Sequence, residues 1–212
     1  RMGRKWISPP GSGIWMSLLL RPEFPAEWAP RITIAAALGV CRALRVFGAD
    51  AAIKWPNDVY AGGKKLSGIL SELGMQGGER PFIVCGIGIN VGQRAFSGEL
   101  AETATSLLLE TGHTVALERV ISEVVCALAP LFPACGEDAA YAVLMEEYRR
   151  LSCTLGRQVK ITGVDGVRYG RAEGLDALGR LLLRTADGTL LTIQAGDVSL
   201  RNAEKSEERE KE

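Results

Sequence analysis

The sequence predicts an α+β domain followed by a small all-β barrel. Up to about residue 154, apolar runs that indicate strands alternate irregularly with segments that indicate helices, and the strands are joined by hairpin signals. From Val159 onward, five short alternating runs separated by glycine turns occupy roughly forty residues, which is typical of a small barrel. We therefore expect domains at 1–154 and 155–202, followed by a disordered charged tail at 203–212.

The elements of the first domain are predicted from apolar runs and from the turn residues that flank them. Strands are expected at 14–20, 51–55, 59–60, 65–73 and 82–91. Helices are expected at 32–47, 103–110, 117–131 and 138–151. The Gly62–Gly63 pair supplies the turn of a hairpin whose second arm begins near Lys65. The barrel strands are predicted from V-K-I-T, V-R-Y-G-R-A, L-L-L-R-T, T-L-L-T-I and V-S-L.

Charge and composition argue against several classes of function. The chain has 25 basic and 25 acidic residues among 212, so its bulk charge indicates neither nucleic acid nor an anionic membrane as partner. No apolar stretch approaches the roughly 18 residues of a membrane span. The five cysteines are scattered without a C-x-x-C pair, which predicts reduced, buried thiols in a cytoplasmic protein. His113 is the single histidine, so a histidine zinc site or a Ser-His-Asp triad is poorly supported.

The strongest chemical signal is I-K-W-P-N-D-V-Y-A-G-G-K-K-L-S-G-I-L-S-E, residues 53–72. Pro56 should end a strand and expose Asn57 and Asp58 at its tip, and the hairpin should return Lys65 to the same place. An ammonium held there can stabilise a phosphate or a carboxyl group, and Asp58 can hold magnesium or a ribose hydroxyl. The alternative is an exposed hairpin with solvated charges, and the pattern alone does not decide between them.

The second signal is G-I-G-I-N, residues 86–90, after an apolar run. Glycines within a strand cost stability unless something approaches the backbone, and a flat ligand along the strand would do so. Asn90 offers a donor and an acceptor that suit an adenine edge or a metal-bound phosphate. Taken by itself, the motif favours a β-bulge over a ligand site. It lacks the third glycine of a dinucleotide-binding fingerprint.

The third signal is the opening segment R-M-G-R-K-W. Arg1 and Arg4 on either side of Gly3 can clamp phosphates, and Trp6 can stack on a ring. A solvated basic loop is the more common meaning of so short a segment.

In their order and spacing, these segments resemble the biotin–protein ligase family. The resemblance is carried by G-R-K-W-x-S-P-x-G-x-G, S-L-L-L-R-P, K-W-P-N-D, K-K-L-x-G-I-L-x-E, G-I-G-I-N and A-T-S-L, and it extends to Asn202 through G-D-V-S-L-R. It implies a catalytic domain related to class II aminoacyl-tRNA synthetases and an SH3-like C-terminal barrel. It also implies an enzyme that makes biotinyl-5′-AMP from biotin and ATP with Mg²⁺, then transfers biotin to a lysine of a biotin carboxyl carrier protein.

The resemblance implies a role for each motif residue. Lys65 matches the essential lysine that contacts the biotin carboxyl and the α-phosphate, and Asn57 and Asp58 would serve nucleotide, metal and acceptor lysine. Arg4 belongs to the loop that closes over the adenylate, and Asn90 would meet adenine or metal. The other implied ligand-binding positions are Arg1, Gly3, Trp6, Gly68, Gly86 and Gly88.

The opening segment departs from the family pattern, which reads G-R-G-R-x-G-R-x-W. We expect the chain to lack the Ser/Thr and Gln that bind the biotin ureido ring, and hence to bind biotin poorly and fold incompletely alone. A homodimer is possible, and DNA is a partner only if a winged helix lies upstream. Two other functions are kept: a lipoate or octanoyl transferase of the same superfamily, and a non-catalytic, regulatory biotin-binding or repressor module.

Overall fold

The computed structural model describes residues 9–75, 81–163 and 166–200. The predicted site residues Arg1, Gly3, Arg4 and Trp6 lie outside the described residues, as does the charged tail. Statements about ligand contacts from the opening segment therefore stay predictions.

Two antiparallel sheets and a set of helices make up the described chain, which confirms the predicted α+β class. The first sheet has the order β1-β5-β4-β3-β2, and the second has the order β10-β6-β7-β8-β9. The strands of the first sheet are β1 Gly13–Leu20, β2 Ala52–Lys54, β3 Asp58–Ala61, β4 Lys64–Gly74 and β5 Phe82–Asn90. Those of the second are β6 Gln158–Gly163, β7 Gly166–Leu175, β8 Leu181–Arg184, β9 Leu190–Ile193 and β10 Asp197–Leu200. The helices are α1 Ala29–Val46, α2 Leu100–Thr103, α3 Leu107–Thr111, α4 Leu117–Leu128, α5 Leu131–Ala134 and α6 Asp138–Leu151.

Helix α1 covers one face of the first sheet and forms the centre of the core. It contacts β2, β3, β4 and β5 on one side and α4, α5 and α6 on the other. A Cβ added to Gly39 would lie 2.5 Å from Leu128 Cδ2, so this glycine lets α4 approach α1 closely. Strand residues that face α1, such as Ile69, Ile87 and Ile89, are buried. Because strand side chains alternate between faces, the intervening residues face away from the helices.

Two hydrogen bonds from Trp55, directly after β2, attach the first sheet to the C-terminal part of the chain. The Trp55 indole Nε1 donates to the Gly179 carbonyl at 2.8 Å. The Trp55 backbone N–H donates to Thr154 Oγ1 at 3.0 Å. Trp55 is only 2% exposed, so both bonds form away from water and hold the barrel against the start of the predicted site.

Three predicted helix boundaries are wrong for identifiable reasons. Helix α1 begins at Ala29 rather than residue 32, because Pro30 suits the first helical turn, where its missing N–H is not needed. The helix predicted at 103–110 is instead α2 and α3, separated by an extended segment around Thr105. Helix α4 ends at Leu128, because Pro130, two residues on, has no backbone N–H with which to continue the helical hydrogen bonds. No helix among the described residues is long and apolar enough to cross a membrane.

The cysteines only partly match the expectation of buried thiols. Cys41, Cys85 and Cys135 are buried and free, and burial raises the pKa of Cys41 and of Cys135 to about 12. These thiols stay neutral and unreactive at pH 7. Cys126 contradicts the expectation because it lies exposed on α4.

An ion pair between α1 and α6 gives the fold a testable dependence on pH. Arg42 Nε donates to Glu147 Oε1 at 2.7 Å, and its Nη2 donates to the second carboxylate oxygen. This hydrogen bonding lowers the pKa of Glu147 from its usual 4.5, although burial opposes the shift. A lowered folded-state pKa adds stability that is present above the unfolded pKa and is lost as pH falls through the folded pKa.

We expect Glu147→Gln to lower the free energy of unfolding by about 1 kcal/mol at pH 7, because the pair is partly exposed to solvent. The deficit should shrink as pH falls below 4.5 and through the lowered folded-state pKa of Glu147. Urea unfolding across that range measures the effect, with Glu146→Gln as the control, because Glu146 pairs with Arg149 within the same helix and is 72% exposed. An equal deficit at every pH would show that the carboxylate charge is not what stabilises the contact.

Candidate active site

One row of paired residues crosses the open face of the first sheet. The register pairs Trp15 with Gly88, Gly88 with Gly68, and Gly68 with Asp58. Asp58 is paired in turn with Lys54 on β2. Directly paired residues project from the same face, so this row lies on the side away from α1.

Gly86 leaves part of the sheet backbone on this face open among the described residues. Gly86 lies in the next row, paired with Leu70 and with Ser17. A Cβ added to Gly86 would meet Leu70 O at 3.5 Å and no other described atom within 4 Å. Trp15 and Leu70 are 39% and 44% exposed and provide apolar surface beside this floor. The predicted bulge at G-I-G-I-N is absent from the described pairing of β5 with β1 and β4, which runs without a shift.

Lys65 and Asp58 meet at the end of the glycine row, as the hairpin predicts. Lys65 Nζ lies 2.6 Å from Asp58 Oδ1, and the two side chains are 32% and 21% exposed. The turn between β3 and β4 uses Gly62 and Gly63 at φ 55° and 77°, the left-handed region that favours glycine. The pairing of β3 with β4 contains a bulge between Val59 and Tyr60 that adds one residue to β4. The bulge changes the direction of Lys65 relative to the rest of that strand.

Asn57 lies beside this pair, but its amide is engaged elsewhere. Asn57 Nδ2 donates to the Ile69 carbonyl, and the Asn57 carbonyl accepts from the Ile69 N–H at 2.9 Å. These two bonds hold the K-W-P-N-D turn against β4. Its predicted contact with nucleotide or acceptor lysine stays a prediction.

Lys54 and Tyr60 complete the charged end of the row, and sequence reasoning did not single them out. Lys54 Nζ donates to the Tyr60 hydroxyl at 3.0 Å and lies 4.8 Å from the ring centroid. Burial raises the pKa of Tyr60, and the nearby Lys54 opposes that shift, so the phenol stays protonated at neutral pH. Two lysines flanking one carboxylate favour an anionic ligand. Lys54 joins the site through the pairing of β2 with β3, which places it opposite Asp58.

Asn90 is buried at the end of β5 and holds a neighbouring segment. Its Nδ2 donates to the Thr105 carbonyl at 2.9 Å, and its Oδ1 accepts from Gln93 Nε2 at 3.4 Å. Only 5% of the residue is exposed. A direct contact with adenine or metal stays a prediction, and these bonds show an additional structural role.

The described residues fit magnesium only as an ion shared with phosphates. They contain no group of three His, Cys, Asp or Glu side chains placed to hold a metal. Asp58 supplies one carboxylate in the cleft, and it already pairs with Lys65. Magnesium commonly uses one or two protein carboxylates together with substrate phosphates and water, so this donor set suits it.

A groove of about 560 Å³ lies elsewhere, between the segment after β1 and α5. Phe24, Trp28 and Phe132 line it, but the glycine row and Lys65 do not. We place the candidate site on the glycine face because charged groups and exposed backbone meet there.

Comparison with known proteins gives family matches over both parts of the chain. Residues 1–90 match the Biotin/lipoate A/B protein ligase family, and residues 154–201 match the Biotin protein ligase C terminal domain. The chain is 33% identical over 197 residues to the biotin–[acetyl-CoA-carboxylase] ligase of Paracoccus denitrificans, covering 89% of this chain and 80% of that protein. The chain belongs to the biotin protein ligase family.

Other members of the biotin protein ligase family extend the comparison. The Aquifex aeolicus biotin protein ligase in complex with biotin and ATP superposes with a TM-score of 0.81 at 33% identity, covering 96% of this chain and 84% of that one. The Bifunctional ligase/repressor BirA of Bacillus spizizenii is 35% identical over 205 residues, which cover 94% of this chain and 62% of that protein. The chain therefore spans less than two thirds of the BirA relative's length.

Proposed function

We propose that this protein is a biotin–protein ligase, which activates biotin with ATP and transfers it to a lysine of a biotin carboxyl carrier protein. The observation that carries the proposal is the Lys65–Asp58 pair, 2.6 Å apart at the end of a row of glycines on the open sheet face. Family membership supplies the chemistry for which such a pair is suited.

In the first step, a carboxylate oxygen of biotin attacks the α-phosphorus of ATP. The new oxygen–phosphorus bond forms as the bond to the β-phosphate breaks, and pyrophosphate leaves with the electron pair. Two anions must approach each other, so the Lys65 ammonium stabilises both the carboxylate and the α-phosphate. Magnesium, when bound with ATP, offsets further phosphate charge. Asp58 holds Lys65 in a fixed direction, which keeps its charge aimed at the reacting atoms.

In the second step, the carrier lysine attacks the carbonyl carbon of biotinyl-5′-AMP. An amide bond forms, the bond to the phosphate oxygen breaks, and AMP leaves. The attacking amine must lose a proton, and Asp58 is the cleft carboxylate that can accept it. Water must stay out because the mixed anhydride hydrolyses, and this is the role we propose for the segment that carries Arg1, Arg4 and Trp6.

The glycine face suits the fatty-acid chain and fused rings of biotin. At Gly86 a ligand can lie directly on the strand backbone, since an added Cβ would meet only Leu70 O within 4 Å among the described atoms. Trp15 and Leu70 offer apolar walls. Ligand sites are usually lined by apolar side chains together with a few placed polar groups.

The remaining partners and the compartment are predictions. All five cysteines lie among the described residues and are free of disulfides, which agrees with a cytoplasmic protein. The carrier protein is the required protein partner, and homodimer formation and DNA binding stay predictions.

Pyrophosphate release tests the proposal directly. The protein should be expressed from its complete reading frame and supplied with ATP, magnesium and either biotin or lipoate. We expect release that depends on biotin and not on lipoate. Release with lipoate would support the transferase or ligase alternative instead, and biotin binding without pyrophosphate release would support a regulatory module.

A further inference from the structure

The first residues of β4 have an unusual neighbour on the side of β5. Strand β5 pairs with β4 only from Ser67, which lies opposite Ile89. Beside Lys65 its place is taken by the segment between α2 and α3, where Ala104 forms a parallel bridge with Lys65. The Thr105 N–H donates to the Lys65 carbonyl at 2.9 Å. The backbone that carries the reactive ammonium is therefore held by Thr105 on one side and by β3 on the other.

The Thr105 side chain ties this segment to α3. Thr105 Oγ1 donates to Glu110 Oε1 at 2.5 Å. The other carboxylate oxygen lies against the turn between β3 and β4, since a Cβ added to Gly62 would be 3.0 Å from Glu110 Oε2. One carboxylate thus contacts both the segment beside Lys65 and the turn that precedes it.

Helix α3 is itself anchored, so Glu110 has a firm base. Ser106 Oγ accepts from the Leu109 N–H at 3.2 Å, which caps the helix. The same hydroxyl donates to the Gln93 carbonyl at 2.6 Å, and Ser106 is fully buried. Asn90 Nδ2 donates a further bond to the Thr105 carbonyl, so the backbone N–H and the backbone carbonyl of Thr105 are both hydrogen-bonded.

We propose that Thr105 and Glu110 are positioning residues for Lys65. Neither needs to touch substrate: they fix the hairpin turn and the strand start, and so the direction of the ammonium. A displacement of about 1 Å in a reacting group can cost roughly 100-fold in rate. The inference rests on the proposed function, because it concerns how the same site reaches its working geometry.

Thr105→Val keeps the side-chain shape and removes the hydroxyl. In the protein expressed from its complete reading frame, we expect kcat for pyrophosphate release to fall about tenfold, with KM for biotin and for ATP within about twofold. Thr105→Ser restores the donor and should recover most of the rate. The matched control is Thr111→Val on α3, whose hydroxyl donates to the Leu107 carbonyl at 2.8 Å and accepts from the His113 N–H at 3.3 Å, and which should leave kcat unchanged.

A double-mutant cycle with Lys65→Ala separates positioning from general support of the fold. If Thr105 acts through Lys65, Thr105→Val should cause no further loss in the Lys65→Ala protein. An unchanged kcat in the single variant, or the same tenfold loss in both backgrounds, would overturn the inference. Should Thr105→Val fold poorly, Glu110→Ala provides the same test, since it removes the acceptor of the Thr105 hydroxyl and a similar loss of kcat is expected. A wild-type protein that releases no pyrophosphate with biotin would instead refute the proposed function.

Discussion

Lys65→Ala is expected to slow biotin-dependent pyrophosphate release by about 100- to 1,000-fold, the usual cost of removing one group that stabilises charge in a transition state. The ammonium lies 2.6 Å from Asp58 at the end of the glycine row, and its removal leaves the approach of carboxylate to phosphate unassisted. The rate is measured under saturating biotin and ATP, so that the loss is read in kcat.

Lys64→Ala is the matched control for this result. Lys64 is the preceding lysine on β4, but its Nζ donates to the Ala101 carbonyl at 2.8 Å at the surface. Its removal should change kcat less than twofold. Comparable losses in the two variants would indicate that the net charge of the hairpin matters and the position of Lys65 does not.

Gly86→Val is expected to weaken biotin binding strongly while leaving the fold intact. A side chain at Gly86 would stand in the space above the strand backbone, where the nearest described atom to an added Cβ is Leu70 O at 3.5 Å. Steric overlap with a ligand costs about 1–3 kcal/mol, which corresponds to an increase in Kd of roughly 10- to 100-fold. Titration calorimetry with biotin, on the protein expressed from its complete reading frame, measures the change, and urea unfolding measures the stability.

The control for this variant is Gly174→Val on β7, where the nearest described atom to an added Cβ is Leu182 Cδ1 at 3.9 Å. Both changes place a branched side chain in an open position of a strand, but only Gly86 borders the cleft. An unchanged Kd in Gly86→Val would show that biotin does not lie along β5.

Local chemistry in the sequence was sufficient to predict the hairpin and several elements. The Gly62–Gly63 pair adopts the left-handed turn that the predicted hairpin requires, and the turn returns Lys65 to Asp58. Helix α6 occupies 138–151 as predicted, because its apolar spacing and its flanking residues agree with one another. Such features depend on residues that are near each other in the sequence.

The segment around Thr105 could not be predicted in the same way. Its composition suits a helix, and a helix over 103–110 was expected. In the structure the Thr105 N–H bonds to Lys65, which is 40 positions away in the sequence, and Ser106 begins a new helix by capping it. The contact with β4 overrides the local helical preference, and no pattern within the segment shows that β5 will leave this place open.

The candidate site could be predicted only in part, because some of its contacts join segments that are distant in the sequence. Motif spacing indicated Lys65, Asp58 and the glycines, and the register places the Gly68–Gly88 row next to that pair. Trp15 belongs to none of the predicted site residues, yet it lies in the same row as Gly88 on the open face. Its place depends on how β1 pairs with β5, and strand pairing between distant segments is not visible in either strand alone.

The most direct test of this account is a crystal structure of the protein with a non-hydrolysable biotinyl-5′-AMP analogue. We expect the biotin chain to lie over Gly86 and Gly88, with Lys65 Nζ within about 3 Å of an oxygen of the acyl-phosphate link. An analogue seated in the groove beside Trp28 and Phe132, with Lys65 making no contact to it, would contradict this account.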